Sequence, residues 1–322
     1  MSETLLEVKG LKKYFPIMSS FLRRTVGHVK AVDGVSFTLN AGETLGIVGE
    51  SGCGKSTTGR MIMRVLDPTE GRILFKGQDI VGMSPGNLRK LRKDFQMVFQ
   101  DPYSSLNHKM MVRDLLAEPF HIHGQGLSAA EIDREVCRLL ETVGLRAENR
   151  FRHPHEFSGG QRQRIGIARA LALNPKLIVA DEAVSALDVS IQSQILNLMV
   201  DLKHQYHLSY IFISHNLAVV KHISDRVGVM YLGNMVEIAS KSSLFRKPLH
   251  PYTEALLSAA PQPNRVHKRE RIILQGDVPN PANPPKGCPF HTRCPKAFDR
   301  CSQERPMLKE ATPDHQVACF LY

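Results

Sequence analysis

The strongest indication of the fold lies in residues 49–57, which read Gly49-Glu50-Ser51-Gly52-Cys53-Gly54-Lys55-Ser56-Thr57. This glycine-rich stretch lies between an apolar run at 44–48, predicted to be a strand, and a helix predicted at 56–66. Glycines at this spacing let backbone N–H groups surround phosphate oxygens at a helix N-terminus, where partial positive charge favours anions. We therefore predict a phosphate-binding loop in which Lys55 reaches the β- and γ-phosphates of a nucleotide and the Ser56 hydroxyl binds Mg²⁺. Any small side chain would serve in place of Cys53, which we interpret as structural rather than redox-active.

An acidic pair, Asp181-Glu182, directly follows the apolar run 177–180, which is predicted to be a buried strand. Ligands of open parallel sheets bind at the carboxyl ends of strands. Asp181 is therefore expected to support the Mg²⁺ shell, and Glu182 is expected to act as general base towards the attacking water. The alternative is an ordinary acidic loop, which the phosphate-binding loop earlier in the chain disfavours.

Two more polar residues follow predicted strands. Gln100 ends the run 96–100, where it can bind Mg²⁺ or water, and His215 follows the strand predicted at 210–214. A lone histidine is usually structural, but the end of a strand in a phosphate-binding sheet favours contact with the γ-phosphate and the water. We expect Gln100 also to sense what the segment after it touches.

A second anion site is predicted at Phe157-Ser158-Gly159-Gly160-Gln161. A serine at a cap position, two glycines and a helix N-terminus again present N–H groups to an anion. One chain rarely needs two such sites for one phosphate group. The economical explanation is that residues 158–161, the SGGQ segment, close on the nucleotide of a facing subunit.

Alternating elements predict a mainly parallel sheet. Strands are predicted at 5–13, 29–39, 44–48, 71–75, 95–99, 177–180, 210–214 and 227–231, and helices at 56–66, 112–116, 129–143, 161–173 and 191–206. Residues 102–172 have the character of a helical insertion. We expect one large domain over 1–250 and a small one, the tail, over 251–322.

In order and spacing, these motifs resemble those of the ABC-type ATPase family over about residues 5–250, with Ser185-Ala186-Leu187-Asp188 as a further match. The resemblance implies an α/β fold of the P-loop NTPase type, an ABC-type nucleotide-binding domain with a helical subdomain. It also implies ATP hydrolysis with Mg²⁺ in a head-to-tail dimer that holds two ATP molecules between its subunits. Tyr14 falls at the family's adenine-stacking position, although it could also be a surface tyrosine at a strand end, and Asp188 would communicate across the dimer. Ala183 and Asn216 depart from the residues common at their positions, but neither change removes a reacting group.

The tail carries a second resemblance, to the ATP-binding subunits of bacterial dipeptide/oligopeptide permeases. It rests on Leu249-His250-Pro251-Tyr252-Thr253, on the proline-rich run from Pro279 to Phe290 and on the cysteines that follow, and it covers most of residues 245–320. The stretch Leu11-Lys12-Lys13-Tyr14-Phe15 and the phosphate loop with Cys53 resemble the F-type member of the D/F pair in those importers. The tail is therefore expected to be a small cysteine-containing C-terminal domain.

Four of the six cysteines are in the tail, at Cys288, Cys294, Cys301 and Cys319. Clustered cysteines in a cytosolic protein argue for a metal rather than disulfides. These cysteines include no Cys-x-x-Cys pair, so they do not have the usual spacing of a zinc ribbon. Four thiolates suit a [4Fe–4S] cluster with a structural role, and the resemblance implies one, with zinc and no metal as the alternatives. Cys137 is interpreted as a packing residue.

The composition adds bounds on location and partners. Lys and Arg exceed Asp and Glu by 42 to 31, a net charge of +11, which suits nucleic acid, anionic lipid or nucleotide but also fits an ordinary solvated surface. No apolar run approaches the roughly 18 residues of a membrane span. The start MSETLLEVKG has no apolar core of a secretion signal, so a cytosolic protein is expected.

The two resemblances imply an ATPase subunit at the cytoplasmic face of the bacterial inner membrane. The resemblance implies a D-type ATPase partner, two transmembrane permease subunits and an extracytoplasmic peptide-binding protein that delivers peptide. Nickel chelates, glutathione or opines are alternative cargoes, and a homodimer is an alternative to the D/F pair. A soluble ABC-type ATPase acting on nucleic acid or ribosomes is disfavoured because the chain has one module and no sustained heptads; no nucleic acid is expected.

Overall fold

The computed structural model describes residues 3–19, 24–101, 103, 105–124, 126–259 and 272–322. Residue 102, where the predicted helical insertion begins, lies outside these ranges, as does the stretch 260–271 of the tail. No helix within them is long and apolar enough to cross a membrane.

The strands are β1 Thr4–Met18, β2 Thr25–Asn40, β3 Thr44–Val48, β4 Glu70–Phe75, β5 Gln78–Asp79, β6 Phe95–Val98, β7 Leu177–Asp181, β8 Ser209–Ile213, β9 Arg226–Tyr231, β10 Asn234–Ser240, β11 Lys309–Thr312 and β12 His315–Val317. The helices are α1 Lys55–Ile62, α2 Pro85–Leu91, α3 Val112–His123, α4 Ala129–Thr142, α5 Gly159–Leu171, α6 Val189–Tyr206, α7 Leu217–Ile223, α8 Lys241–Arg246, α9 Pro251–Ala259 and α10 Asp299–Gln303. Short 3₁₀ turns occupy Ala147–Phe151 and Pro154–Glu156.

The chain divides into two compact units. The first comprises Asn40–Glu43 and Gly82–Ile213, and the second comprises Glu3–Leu39, Thr44–Val81 and Ser214–Tyr322. These units are defined by how residues pack in space, whereas the predicted domain boundary near residue 250 rests on a change in the sequence pattern. That boundary stays a prediction.

The first unit is built on parallel strands with helices around them. Strand β7 pairs in parallel with β6 and with β8, and every residue of β7 and β8 is buried. Runs of Val, Ile, Leu and Phe suit strands that are covered on both faces. Helices α3, α4 and α5 of this unit confirm the predicted helical character of the insertion.

The second unit contains two groups of strands. In one group β3 pairs in parallel with β9, β9 with β10 antiparallel, and β10 continues through β12 to β11 in the tail. The other group is a four-stranded sheet in the order β2-β1-β4-β5. The prediction of a mainly parallel sheet is therefore correct for the strands that lead into the chemical motifs and incomplete for the rest.

The predicted and observed elements differ at helix ends. The helix predicted at 56–66 ends as α1 at Ile62, because the backbone of Arg64 turns into the left-handed region with φ of 49°. Helix α6 begins at Val189, two residues before the predicted start at 191. Strand β10 and the tail strands β11 and β12 were not predicted from the sequence.

Candidate functional site

The phosphate loop, residues 49–57, joins β3 to α1 in the second unit. Two of its glycines, Gly49 and Gly54, are required by close backbone neighbours. A Cβ on Gly49 would lie 2.1 Å from the carbonyl oxygen of Met230, and a Cβ on Gly54 would lie 2.1 Å from that of Ala31. Gly54 also has φ of 101°, a conformation that L side chains rarely adopt, so that α1 can begin directly at Lys55.

The Lys55 side chain is enclosed by the phosphate loop. It is only 4% exposed, and its ammonium donates to the carbonyl oxygens of Gly49 at 2.8 Å and Glu50 at 2.9 Å. Phosphate oxygens are charged acceptors and bind an ammonium more strongly than neutral carbonyls do. The Cys53 sulfur lies 3.8 Å from the same ammonium, and burial raises the pKa of this thiol, which keeps it protonated at neutral pH.

Glu50 is anchored from two sides by residues far away in the sequence. Arg293 donates to both carboxylate oxygens of Glu50, at 2.9 and 3.2 Å, and the Glu50 N–H donates to the Tyr252 hydroxyl at 2.9 Å. Neither contact is predictable from the sequence, because the partners lie 243 and 202 positions from Glu50 and no local pattern indicates them.

Tyr14, the predicted adenine-stacking residue, is half-buried on β1 of the second unit. Its hydroxyl donates to the Asp33 carboxylate, and the Lys30 ammonium lies 5.7 Å from the centre of its ring. The other carboxylate oxygen of Asp33 accepts a hydrogen bond from Arg305 at 2.7 Å. Burial and then the bond to Asp33 raise the pKa of Tyr14 far above its ordinary value, so the hydroxyl is a donor at neutral pH.

The hydrolytic residues predicted for the first unit lie at strand ends. Asp181 is the last residue of β7 and is 2% exposed. The Gln100 side-chain amide donates to a carboxylate oxygen of Glu182 at 3.0 Å, so the structure brings these two predicted residues together. Glu182 has φ of 49°, and its N–H donates to the Ile213 carbonyl at 2.9 Å. Such a left-handed conformation is uncommon outside glycine and is frequent at functional sites.

The SGGQ segment forms the start of α5 in the first unit. Ser158 is the N-cap: its hydroxyl accepts from the Gln161 N–H at 3.4 Å, and its own N–H donates to the Gln161 side chain at 3.0 Å. Ser158 and Gly159 are exposed. A Cβ on Gly160 would lie 2.5 Å from Ile191, which explains a small residue there. The segment presents a helix N-terminus at the surface.

The remaining predicted residues, His215 and Asp188, are both exposed. His215 belongs to the second unit and precedes Asn216, whose side chain caps α7 by accepting from the Ala218 N–H at 2.9 Å. Asn216 therefore has a capping role in this chain. Asp188, in the first unit, stands at the N-cap position of α6.

The four tail cysteines line one small cavity, and all four are free thiols. Burial raises the pKa of Cys288 to about 11, and the other three thiols add to this shift, against a backbone hydrogen bond from Phe290. Burial also raises the pKa of Cys294 and of Cys319. No group of three or more His, Cys, Asp or Glu side chains in the described ranges is arranged to hold a single metal ion.

Sequence comparison places two family models on the chain. The ABC transporter model matches residues 32–185, and the model of the C-terminal region of oligopeptide/dipeptide transporters matches residues 236–301. The chain is 60% identical to the oligopeptide transport ATP-binding protein AppF of Bacillus subtilis (strain 168), over 99% of the chain and 98% of that protein. It is 53% identical to the probable peptide ABC transporter ATP-binding protein y4tS of Sinorhizobium fredii (strain NBRC 101917 / NGR234), over 100% of the chain and 91% of that protein.

Solved structures agree with these matches. A dimeric, post-hydrolysis state of the ATP-binding cassette MJ0796 bound to ADP and Pi superposes with a TM-score of 0.66 at 26% identity, over 74% of the chain and 99% of the cassette. CbiO1 of Clostridium perfringens, part of the ABC transporter complex cbiONQ, superposes with a TM-score of 0.65 at 28% identity, over 76% of the chain and 92% of CbiO1. The fold is that of an ABC ATPase.

Proposed function

The chain belongs to the family of ATP-binding subunits of peptide ABC transporters, which hydrolyse ATP, and we propose that it powers the import of dipeptides or oligopeptides. The observation that carries this proposal is the phosphate loop with the enclosed Lys55 ammonium, in a chain whose tail matches the oligopeptide/dipeptide transporter model. The tail matters here because the phosphate loop alone would fit many nucleotide-hydrolysing proteins.

The proposed roles follow from the chemistry of each side chain. Lys55 and the N–H groups of residues 49–57 hold the phosphates, and the Tyr14 ring stacks on adenine. Ser56, Gln100 and Asp181 would hold Mg²⁺, which would supply positive charge against the charge that develops on the phosphates. Glu182 takes the proton of the attacking water, and the bond from Gln100 fixes the direction of its carboxylate. His215 contacts the γ-phosphate.

A second copy of the ATPase fold completes the site in this proposal. The SGGQ segment offers its helix N-terminus to the nucleotide of a facing subunit, and Asp188 communicates between the subunits. The solved cassette bound to ADP and Pi is a dimer, which supports this arrangement. We propose that the facing subunit is a D-type ATPase of the same importer. Copurification with a second, similar ATPase is the expected result, and a stable, active complex containing only this chain would contradict it.

The proposed importer also contains proteins that this chain would energise. ATP-driven closure of the ATPase dimer acts through the helical region and the Gln100 loop on two transmembrane permease subunits. This places the chain at the cytoplasmic face of the inner membrane as a peripheral subunit, while an extracytoplasmic binding protein delivers the peptide. The relatives that carry peptide transport in their names support the cargo class.

Reconstituted transport tests the proposal. The permease subunits encoded beside this chain are placed in vesicles with and without it, and uptake of labelled di- and oligopeptides is measured with ATP or a non-hydrolysable analogue. Uptake that needs both this chain and ATP hydrolysis is expected. ATPase activity that the permease stimulates, without peptide uptake, would support a transporter function but reject peptides as the cargo. Nickel chelates, glutathione or opines would then be the candidate cargoes.

We further propose that Cys288, Cys294, Cys301 and Cys319 hold a [4Fe–4S] cluster that stabilises the tail. Support comes from the four free thiols around one cavity. A single zinc ion needs four ligands about 2.3 Å from one point, an arrangement that the described residues do not provide. A four-iron cluster takes one thiolate per iron, so its ligands surround a larger group. Binding would have to displace the protons that burial retains on Cys288, Cys294 and Cys319, whose pKa values it raises.

The cluster is tested by Cys294→Ser, with Cys137→Ser of helix α4 as the matched control. Anaerobically purified protein is expected to contain about four irons per chain and to absorb in the visible region. Cys294→Ser should lose the iron and lower the melting temperature, whereas Cys137→Ser should keep both. Zinc in place of iron, or unchanged iron and stability in Cys294→Ser, would reject the cluster.

A further inference from the structure

Two ion pairs join the tail to segments assigned above to nucleotide binding. Arg293 binds Glu50 of the phosphate loop through two hydrogen bonds, and Arg305 binds Asp33, the partner of Tyr14. All of these residues belong to the second unit. The tail therefore contacts both the phosphate end and the proposed adenine end of the nucleotide-binding region.

The contact with the phosphate loop is well packed. The Arg293 side chain is 8% exposed, and its bidentate geometry fixes both oxygens of the Glu50 carboxylate. Next to it, the fully buried Phe290 of the tail packs edge-on against Tyr231, with ring centroids 5.2 Å apart, and 5.4 Å from Tyr252. The Tyr252 hydroxyl in turn accepts a hydrogen bond from the Glu50 N–H. The aromatic cluster of Tyr231, Tyr252 and Phe290 therefore supports the start of the phosphate loop.

The contact with Tyr14 runs through Asp33. Arg305 donates to the Asp33 carboxylate at 2.7 Å and to the Asp33 carbonyl at 2.5 Å, and this carboxylate accepts the Tyr14 hydroxyl. A further tail contact lies close by, because the Lys30 N–H donates to the Pro281 carbonyl at 3.0 Å. The orientation of the tyrosine ring is thus tied to the tail.

We propose that the tail is a positioning element of the nucleotide site, in which Arg293 sets the phosphate loop through Glu50 and Arg305 sets Tyr14 through Asp33. This inference rests on the proposed roles of the phosphate loop and Tyr14. Arg293 has an electrostatic duty besides its geometric one, because it neutralises a carboxylate that stands beside the triphosphate site. Without Arg293, Glu50 repels the bound phosphates.

The two arginines should therefore affect different parts of ATP. Arg293→Ala should raise the Kd for ATP and for inorganic tripolyphosphate alike, each by about tenfold, the size expected for a lost charged hydrogen-bond pair. Arg305→Ala should raise the Kd for ATP by about threefold and leave tripolyphosphate binding unchanged, because only the adenine end loses its support. Calorimetry on the full-length chain measures both ligands.

The matched control is Lys296→Ala, which breaks an ion pair within the tail. Lys296 lies 2.8 Å from Glu254, and the two side chains are 47% and 27% exposed. This variant should keep both Kd values within about twofold. If Lys296→Ala lost as much affinity as Arg293→Ala, general loosening of the tail would explain both losses, and the positioning role would be rejected.

A rescue experiment distinguishes the effect of an unpaired Glu50 charge from the effect of disturbed folding. Glu50→Gln added to Arg293→Ala removes the unpaired carboxylate and should recover at least half of the lost binding energy for tripolyphosphate. No recovery, or an Arg293→Ala protein that binds as the parent does, overturns the proposal. Should Arg293→Ala fail to fold, the selective effect of Arg305→Ala on ATP decides. Lys55→Ala tests the premise separately: if it binds both ligands normally, the assignment of the phosphate loop is wrong.

Discussion

The phosphate loop and the SGGQ segment are both glycine-rich approaches to a helix N-terminus, but their surroundings differ. The phosphate loop encloses its lysine, and its Glu50 is held by Arg293 and Tyr252 from more than 200 positions away. The SGGQ segment is organised by a local capping box between Ser158 and Gln161, with Ser158 exposed. The contacts that hold Glu50 of the phosphate loop come from the same chain.

This difference suggests how each segment works. A loop supported by long-range contacts is preorganised, so nucleotide binding orders little further chain. A capped helix start at the surface is equally preorganised locally but displays its N–H groups outward, as a contact to another molecule requires. ATP binding should accordingly be a property of the single chain, whereas hydrolysis should require a facing subunit.

The largest effect is expected from Glu182→Gln, which should separate binding from hydrolysis. The amide cannot take a proton from water, so turnover should fall by a factor of about 100 to 10,000. The amide oxygen still accepts the bond from Gln100, so ATP binding should stay intact and the closed dimer should accumulate. Phosphate release and gel filtration with ATP measure the two effects.

Glu141→Gln, on the exposed face of α4, is the control for this variant and should behave as the parent. Near-normal turnover in Glu182→Gln would remove Glu182 from its assigned role as general base.

Two serine N-caps with the same hydrogen-bonding pattern test whether the SGGQ segment contacts nucleotide. Ser128 caps α4 through a capping box with Glu131, just as Ser158 caps α5 with Gln161. Replacing either serine by alanine should lower the free energy of unfolding by about 1 kcal/mol. Only Ser158→Ala should also reduce ATP turnover, by about 10- to 100-fold, because only Ser158 lies in the segment proposed to contact the phosphates of a facing subunit's nucleotide.

ATP binding by the isolated Ser158→Ala chain should match that of the parent protein. Equal loss of turnover in Ser128→Ala would show that helix stability, and not contact with nucleotide, explains the effect.

Two buried tyrosines test whether the phosphate loop depends on its long-range hydrogen bonds. The Tyr252 hydroxyl accepts the Glu50 N–H, whereas in the described part of the chain the buried Tyr210 hydroxyl has no hydrogen-bond partner. Tyr252→Phe should therefore lower the free energy of unfolding by about 1.5 kcal/mol and weaken ATP binding, and Tyr210→Phe should be neutral or stabilising. Urea unfolding and calorimetry measure both variants. Equal results for the two would show that Tyr252 does not support the loop.

Much of the chemistry could be predicted from the sequence because each motif is contiguous. Glycine positions, a helix cap and an apolar strand before an acidic pair all operate within about five neighbouring residues. Gln100 and Glu182 were each predicted to follow a strand, but their pairing was not predicted, because the sequence does not show that β6 and β7 are neighbours whose carboxyl ends meet at one edge. The structure places the two side chains 3.0 Å apart.

The contributions of the tail could not be predicted in this way. Arg293 and Arg305 lie in a stretch with short elements, α10, β11 and β12, whose periodicity is too brief to recognise. Their partners Glu50 and Asp33 lie 243 and 272 positions away. Only the folded chain brings such residues together, so the anchoring of the nucleotide loops emerges from the structure alone.

The smallest predicted effect concerns Asp33 and depends on pH. Burial by itself raises the pKa of the Asp33 carboxyl, but the hydrogen bonds from Tyr14 and Arg305 outweigh burial and hold the pKa below its ordinary value. A carboxyl with a lowered pKa in the folded state stabilises above its unfolded pKa of about 3.9, and this contribution is lost as the pH falls through the folded pKa. Asp33→Asn should therefore cost about 1 kcal/mol of unfolding free energy near neutral pH.

The difference between Asp33→Asn and the parent should begin to shrink as the pH falls below about 4, because the Asp33 carboxyl of the unfolded chain then takes up its proton, and should be smallest once the pH has passed the lowered folded pKa. Urea unfolding along a pH series measures this, with Asp201→Asn on the exposed face of α6 as the control that should change stability little at any pH. A cost that is constant with pH would mean that Asp33 anchors Tyr14 and Arg305 by shape alone. A cost that vanishes in acid would show that the carboxylate charge ties the tail to the proposed adenine end of the site.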